Sequence, residues 1–239
     1  MKETNNTDSV LIDALFSAGA HFGFVKSRRH PSSQPYIFGV KNKIEIFDLE
    51  KTIDPLRKAL EFVESLGMKG AKILFVSGKS EAKDAITKVA ESLGMPYVAG
   101  RFIGGSLTNF PEIRKRVEKL ETLISQKEKG ELTKYTKKER LLIDRDITKL
   151  RDFFFGLSVM KTLPQALFVV DGRKESIAVK EAVKIGIPVI SLSGTDNNLN
   201  DVEFPIPGND SSRTSIEFFL QKIGEAYKAG GLKKSTAAV

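Results

Sequence analysis

Lys79 sits between Gly78 and Ser80, where the apolar run Ile73–Val76 gives way to a helical pattern. This is where a phosphate-binding loop would end. Such a loop needs another glycine five residues before Gly78, so that backbone N–H groups can wrap a triphosphate. That position is Ile73, inside the run, and Ser80 reads instead as the cap of the following helix. Lys79 keeps one phosphate-directed use, at the exposed helix N-terminus. Gly104 and Gly105 follow Arg101 and precede Ser106, Thr108 and Asn109. Paired glycines let a backbone approach a ligand closely, and they equally make a tight turn. The G-x-G-x-x-G spacing of a dinucleotide site is absent. His21 and His30 are the only histidines, and each neighbours basic residues, so no Ser-His-Asp arrangement is singled out. Asp171 and Asp196 follow strand-like runs, where α/β enzymes place functional acids and where loop aspartates also cap turns. The chain has no cysteine, which excludes a thiol nucleophile, cysteine-ligated metal sites and a disulfide framework. No catalytic residue, metal site or cofactor is expected.

Basic charge is the stronger chemical signal. The 239 residues hold 38 Lys and Arg against 30 Asp and Glu, a net charge of +8. Lys26, Arg28, Arg29, Lys41 and Lys43 fall within residues 21–43, which contain no acid. Residues 110–151 hold thirteen basic residues against eight acids, residues 222–239 hold four lysines against Glu225, and the remainder is net acidic. Clustered cations seek phosphate, because each neutralised phosphate releases condensed counterions. The alternative is a set of solvated charged faces. The residues expected to contact a nucleic-acid backbone are Lys26, Arg28, Arg29, Lys41 and Lys43, followed by Arg101, Arg114 and Lys115. Phe22 and Phe24, interleaved with the first run, suit either base stacking or packing.

The elements that must position these groups are legible from periodicity. Tyr36–Val40 and Ile44–Phe47 read as a hairpin. Leu56, Leu60, Val63 and Leu66 recur at helical spacing, with Gly67 and Gly70 marking the end. Ile73–Val76, Pro96–Ala99, Leu167–Val170, Ile187–Leu192 and Phe204–Ile206 read as strands, with helices at 82–93, 175–185 and 212–226. Such alternation predicts an α/β fold, a mostly parallel sheet flanked by helices in a three-layer Rossmann- or flavodoxin-like arrangement. Ile113, Val117, Leu120 and Ile124, then Ile143, Ile147, Leu150 and Phe154, repeat at heptad-like steps. They predict an antiparallel helical hairpin inserted at 110–155 and projecting as a coiled-coil arm. The expected organisation is an α/β domain from 8–109 plus 156–227, the inserted hairpin, and a flexible basic tail at 228–239. No run is long enough to span a bilayer and residues 1–20 lack a leader pattern, so a cytoplasmic location is expected.

Several blocks occur together in order: AGAHFG at 18–23, PYIFGVKNKIEIFDLEKT at 35–52, RFIGGSLTNF at 101–110, LPQALFVVDGRKESIAVKEA at 163–182, IPVISLSGTDNN at 187–198 and PIPGND at 205–210. In these the chain resembles the bacterial or organellar type of the small-subunit ribosomal protein family S-two. The resemblance spans roughly residues 8–227. It implies an α/β body with a coiled-coil arm and a structural, non-enzymatic role on small-subunit ribosomal RNA near the head–body junction. It also implies neighbouring ribosomal proteins, including the large one that captures mRNA leaders. The chain departs from the family pattern at Phe24, where histidine is common, at Phe102 for tryptophan, and at Ser32, Ser33 and Gln34, where charge is reduced. Ser193-Gly194-Thr195-Asp196 replaces a V-D-T-N segment and with it the aspartate that would seat an ion. Two other readings compete: an α/β enzyme acting on a phosphorylated metabolite through Lys79, Gly104–Gly105 and the strand-end acids, and an interaction module whose arm pairs with a partner helix.

Overall fold

The computed structural model describes residues 2–237, with side chains placed for residues 8–233. In chain order the elements are α1 (Lys2–Ser17), β1 (Phe22–Val25), β2 (Ile37–Lys41), β3 (Ile44–Phe47), α2 (Leu49–Lys69), β4 (Ile73–Ser77), α3 (Ser80–Leu93), β5 (Tyr97–Ala99), α4 (Phe110–Glu128), α5 (Lys137–Phe154), β6 (Ala166–Val170), α6 (Ser176–Lys184), β7 (Val189–Ser193), β8 (Phe204–Pro207) and α7 (Arg213–Ala237).

The strands β4, β6 and β7 are buried at every position. Continuous apolar runs of that kind can only sit inside a sheet covered on both faces. They form the centre of a five-stranded parallel sheet in the order β5-β4-β6-β7-β8. Side chains alternate faces along each strand. Ile73 and Phe75 of β4 join Ala166, Phe168 and Val170 of β6 in a core beneath α2, α3 and α7. Leu74, Val76, Leu167 and Val169 enter the opposite core, shared with α4, α5 and α6. The α/β architecture is as the alternation predicts.

Two expectations change in detail. Gly67, read as part of a helix stop, lies buried inside α2, and Gly70 makes the stop with φ 67°. A Cβ at Gly67 would come within 2.2 Å of the Tyr227 carbonyl oxygen, and one at Gly230 within 2.1 Å of the Glu64 carbonyl oxygen. Missing side chains on both helices therefore let α2 and α7 cross backbone to backbone. The second change follows from the same contact. Residues 228–237, expected to begin a flexible tail, continue α7, while 238–239 lie outside the described residues.

Helices α4 and α5 pair antiparallel, with Lys119 on Asp146 and Lys127 on Asp144. Ile113, Val117, Leu120, Ile147, Leu150 and Phe154 belong to the same core as the sheet residues Leu74 and Val169, so one end of the pair is part of the body. Thr136 and Glu139 cap the start of α5 reciprocally.

A second, three-stranded antiparallel sheet in the order β1-β3-β2 is built from the N-terminal run. The hairpin is the expected one. Its turn, Asn42 and Lys43 with φ 51° and 68°, is the two-residue type that matches strand twist. β1 and α1 were not legible in the sequence: β1 is four residues long and lies between a glycine turn and a basic stretch.

Candidate nucleic-acid interface

Ile44 of β3 lies level with both Val25 of β1 and Lys41 of β2. Lys26 follows Val25 and Lys43 precedes Ile44, so this pairing gathers Lys26, Lys41 and Lys43 at one end of the small sheet. All three are exposed. Lys43 sits in the left-handed region, which disfavours a side chain by about 1–3 kcal/mol. The tight turn holds it there. Around them stand exposed apolar groups: Phe38, 79% accessible, with Val40, Ile44, Phe22 and Val25.

The two arginines of the same run are engaged differently. Arg28 Nη2 lies 2.9 Å from Asp196 Oδ2, and its guanidinium covers the Phe24 ring at 4.4 Å. Phe24 is thus a stacking partner of this chain's own arginine. Arg29 Nη1 meets Glu45 at 3.0 Å, and Glu45 is fully buried. Arg29 therefore neutralises a carboxylate inside the sheet's junction with the body. Arg101, Arg114 and Lys115 stand elsewhere, after β5 and on the first turns of α4. Arg101 is exposed. Arg114 binds Glu118 at 3.1 Å and Lys115 binds Glu112 at 2.6 Å along their own helix. The structure brings the three lysines together and leaves these three apart from them.

The places that resembled ligand sites are filled from within. Lys79 Nζ contacts Asp171 Oδ2 at 2.8 Å, Asp210 Oδ2 at 2.9 Å and the Asp210 carbonyl at 2.9 Å. Those three acceptors match the three ammonium protons. Burial works against this ammonium, but the Asp210 and Asp171 carboxylates outweigh it and raise its pKa. Asp171 is held at φ 69° while its Oδ1 accepts from Lys174 N at 3.0 Å. The backbone N–H of Gly78, where a phosphate would sit, donates to Glu175 at 2.8 Å. Burial pushes the Glu175 carboxyl up despite that bond. Ser80 opens α3 as its first residue, and Lys79 holds the cap position in its place. After Gly104, the N–H groups of Gly105, Leu107 and Thr108 all point to the Glu181 carboxylate. This turn is a backbone nest with an internal anion.

The two histidines are each engaged by their own neighbours. His21 stacks on Phe16 at 4.4 Å and meets Phe22 at a tilt, 4.1 Å between ring centres, and burial lowers its pKa. His30 Nδ1 pairs with Ser32 Oγ at 2.8 Å. Asp196 receives Arg173 Nη1 at 3.1 Å as well as Arg28. Sequence reading missed Arg173 and Glu45 as partners of the basic run, because nothing in local spacing links them to Arg28 and Arg29. Among the described residues no group of three or more His, Cys, Asp or Glu side chains is placed to hold a metal ion, and no helix is long and apolar enough to cross a membrane.

Comparison with known proteins adds a direct finding. The family model described as Ribosomal protein S2 matches residues 15–230. The chain is 43% identical over 221 residues to a protein of Roseiflexus sp. (strain RS-1), covering 92% of this chain and 84% of the relative. It is 41% identical over 213 residues to one of Thermus thermophilus, covering 89% and 83% respectively. It is 39% identical over 221 residues to one of Bdellovibrio bacteriovorus, covering 92% and 71%. Each relative carries the name Small ribosomal subunit protein uS2.

Proposed function

The chain belongs to the ribosomal protein S2 family, and from that membership we propose that it binds the phosphate backbone of small-subunit ribosomal RNA through the basic end of its three-stranded sheet. It is a structural, non-enzymatic constituent of the small ribosomal subunit. Recognition by Lys26, Lys41 and Lys43 is of phosphate and shape rather than of base edges, since ammonium groups are compact point charges without a fixed fork. Arg28 and Arg101 are the next contacts. Arg29 positions the sheet through Glu45, and Arg114 and Lys115 contribute only as far as RNA phosphates outcompete their helix carboxylates. The exposed strip at Phe38 and Val40 faces neighbouring small-subunit proteins in this reading, the large mRNA-capturing one among them.

The observation that carries the assignment is the register placing Lys41 and Val25 on either side of Ile44. It gathers three cations from two stretches of chain onto one exposed edge. The test is a Lys41→Glu/Lys43→Glu variant in cells, with ribosomes sedimented across a salt series. Reversal of these two charges should release the protein from small subunits at lower salt than the parent. It should also flatten the salt dependence by about 0.7–0.9 in log–log slope for each phosphate no longer neutralised. Retention identical to the parent at every salt concentration would remove the sheet end from the interface.

A further inference from the structure

The aspartate that would seat an ion in the family pattern falls at Gly194, and the common histidine falls at Phe24. The fold sets these two positions, distant in sequence, against each other. A Cβ at Gly194 would lie 2.9 Å from Phe24 Cε2 and 2.7 Å from Asp210 Oδ1. Both separations are below what a real Cβ contact allows, so the Phe24 ring takes the space that an aspartate at 194 would need. Histidine and two carboxylates converging here would be a donor set for a metal such as zinc. In this chain one of those donors is a hydrocarbon ring and another is a glycine.

The acids that remain are already served. Lys79 binds Asp171 and Asp210, while Asn197 Nδ2 and Ser211 Oγ donate to the two Asp210 oxygens at 3.3 and 3.2 Å. The acid missing at 194 stands two residues on, at Asp196, where the family pattern has asparagine. Asp196 Oδ2 receives Arg28 Nη2 at 2.9 Å and Arg173 Nη1 at 3.1 Å. Asp171, Asp196 and Asp210 are thus balanced by Lys79, Arg28 and Arg173, three charges against three. A divalent cation added among them would leave two positive charges uncompensated beside buried groups, which is costly. The residues present do not fit the ion that the resemblance implies.

The joint is filled by the N-terminal stretch itself. Phe24 is half-buried, and its N–H donates to Thr195 Oγ1 at 3.0 Å. The Arg28 guanidinium covers its ring at 4.4 Å, and Lys79 Nζ approaches the ring to 5.9 Å. Both lie within the roughly 6 Å over which a ring face attracts a cation. Arg28 therefore links the Phe24 ring to the Asp196 carboxylate. Three departures from the family pattern, at 24, 194 and 196, meet in one contact.

We propose that this chain has exchanged the ion for a clasp of its own side chains. Phe24 seats against Gly194, Arg28 joins it to Asp196, and the three-stranded sheet is held on the body without a metal at this joint. Phe24 and Arg28 are positioning residues, which act on the lysine edge by fixing the sheet that carries it.

The test uses the purified, untagged full chain with zinc chloride or a chelator. The parent should melt at the same temperature in both and retain no zinc after dialysis, read by elemental analysis. A Phe24→His/Gly194→Asp/Asp196→Asn variant restores the family pattern at the three positions. It should retain about one zinc ion per chain and melt higher in zinc than in chelator, because a ligand bound only by the folded state stabilises it. Stoichiometric zinc on the parent, or a folded triple variant that takes up none, would overturn the exchange. Hydrogen exchange tests the clasp without depending on that variant. Phe24→Leu keeps an apolar side chain but removes the ring face, and Arg28→Met keeps the stem without the charge. Each should speed exchange of the amides of residues 22–30 about three- to ten-fold and leave β4 and β6 unchanged. Rates at 22–30 equal to the parent in both variants would overturn the clasp, whatever the zinc result.

Discussion

Lys79 satisfies two carboxylates and a carbonyl with one ammonium, in a position where sequence alone suggested a phosphate site. Its place at a strand–helix junction was legible from the run Ile73–Val76 and the helical pattern after it. Its partners were not, because Asp171 and Asp210 arrive from distant strand ends. The same holds for Gly78 and Gly105, whose N–H groups were recognisable as anion receptors but not as ones already served by Glu175 and Glu181. Removing the ammonium leaves two buried acids without a counter-charge, which costs about 3–5 kcal/mol when one partner of a buried pair is deleted. Lys79→Met should therefore reduce the unfolding free energy at pH 7 by that amount, read from urea titrations by circular dichroism. The raised pKa fixes the sign of the pH dependence. The contribution of Lys79 is whole below its ordinary value of 10.5 and is lost as pH rises through the higher folded value. The stability gap between parent and variant should persist from neutral pH to about 10.5 and close only above it.

At the scale of elements, hydrophobic periodicity identified the five parallel strands and most helices, because buried faces dictate which positions are apolar. It could not separate a glycine that ends a helix from one that allows two helices to touch. Gly67 and Gly230 are of the second kind, with carbonyl oxygens of the opposing helix 2.2 and 2.1 Å from any added Cβ. Alanine is the better helix former by about 1 kcal/mol, yet at Gly67 the helices must part to admit it. Overpacking of that kind costs about 1–3 kcal/mol or more. Gly67→Ala should thus lower the melting temperature. Gly231, on the same helix as Gly230 but with nothing within 4 Å of its added Cβ, supplies the contrast. Gly231→Ala should leave stability unchanged or raise it by up to about 1 kcal/mol, and calorimetry of the two variants reads the difference in sign.

For the whole molecule, the paired helices α4 and α5 divide into an end that completes the core and a remainder that does not. Ile113, Val117, Leu120, Ile147, Leu150 and Phe154 cover one face of the sheet. Their heptad-like spacing was visible, but spacing is silent on what the stripe packs against. Replacing residues 126–141 by a short glycine-serine linker, which keeps Leu123, Ile124 and Ile143 packed on the core, should leave a cooperatively folded body with a melting temperature close to the parent. Excision of 110–155 uncovers Leu74, Val76, Leu167 and Val169 and should give a poorly cooperative transition with dye-binding apolar surface. A similar melt for the two deletions would show that the stripe adds nothing to the core.

The N-terminal stretch is fastened to the far end of the chain. Phe24 N donates to Thr195 Oγ1 across 171 residues, Asn209 Nδ2 to the Gly19 carbonyl across 190, and His30 N to the Thr195 carbonyl. Synthesis at about 5–20 residues per second separates the appearance of these partners by roughly 10–40 s. During that interval the stretch that holds Lys26, Arg28, Lys41 and Lys43 lacks these anchors. The edge proposed to meet RNA is among the first parts of the chain to be made, and its anchors on the body, at Thr195 and Asn209, are among the last, so its docking on the body is complete only once residue 209 has been translated.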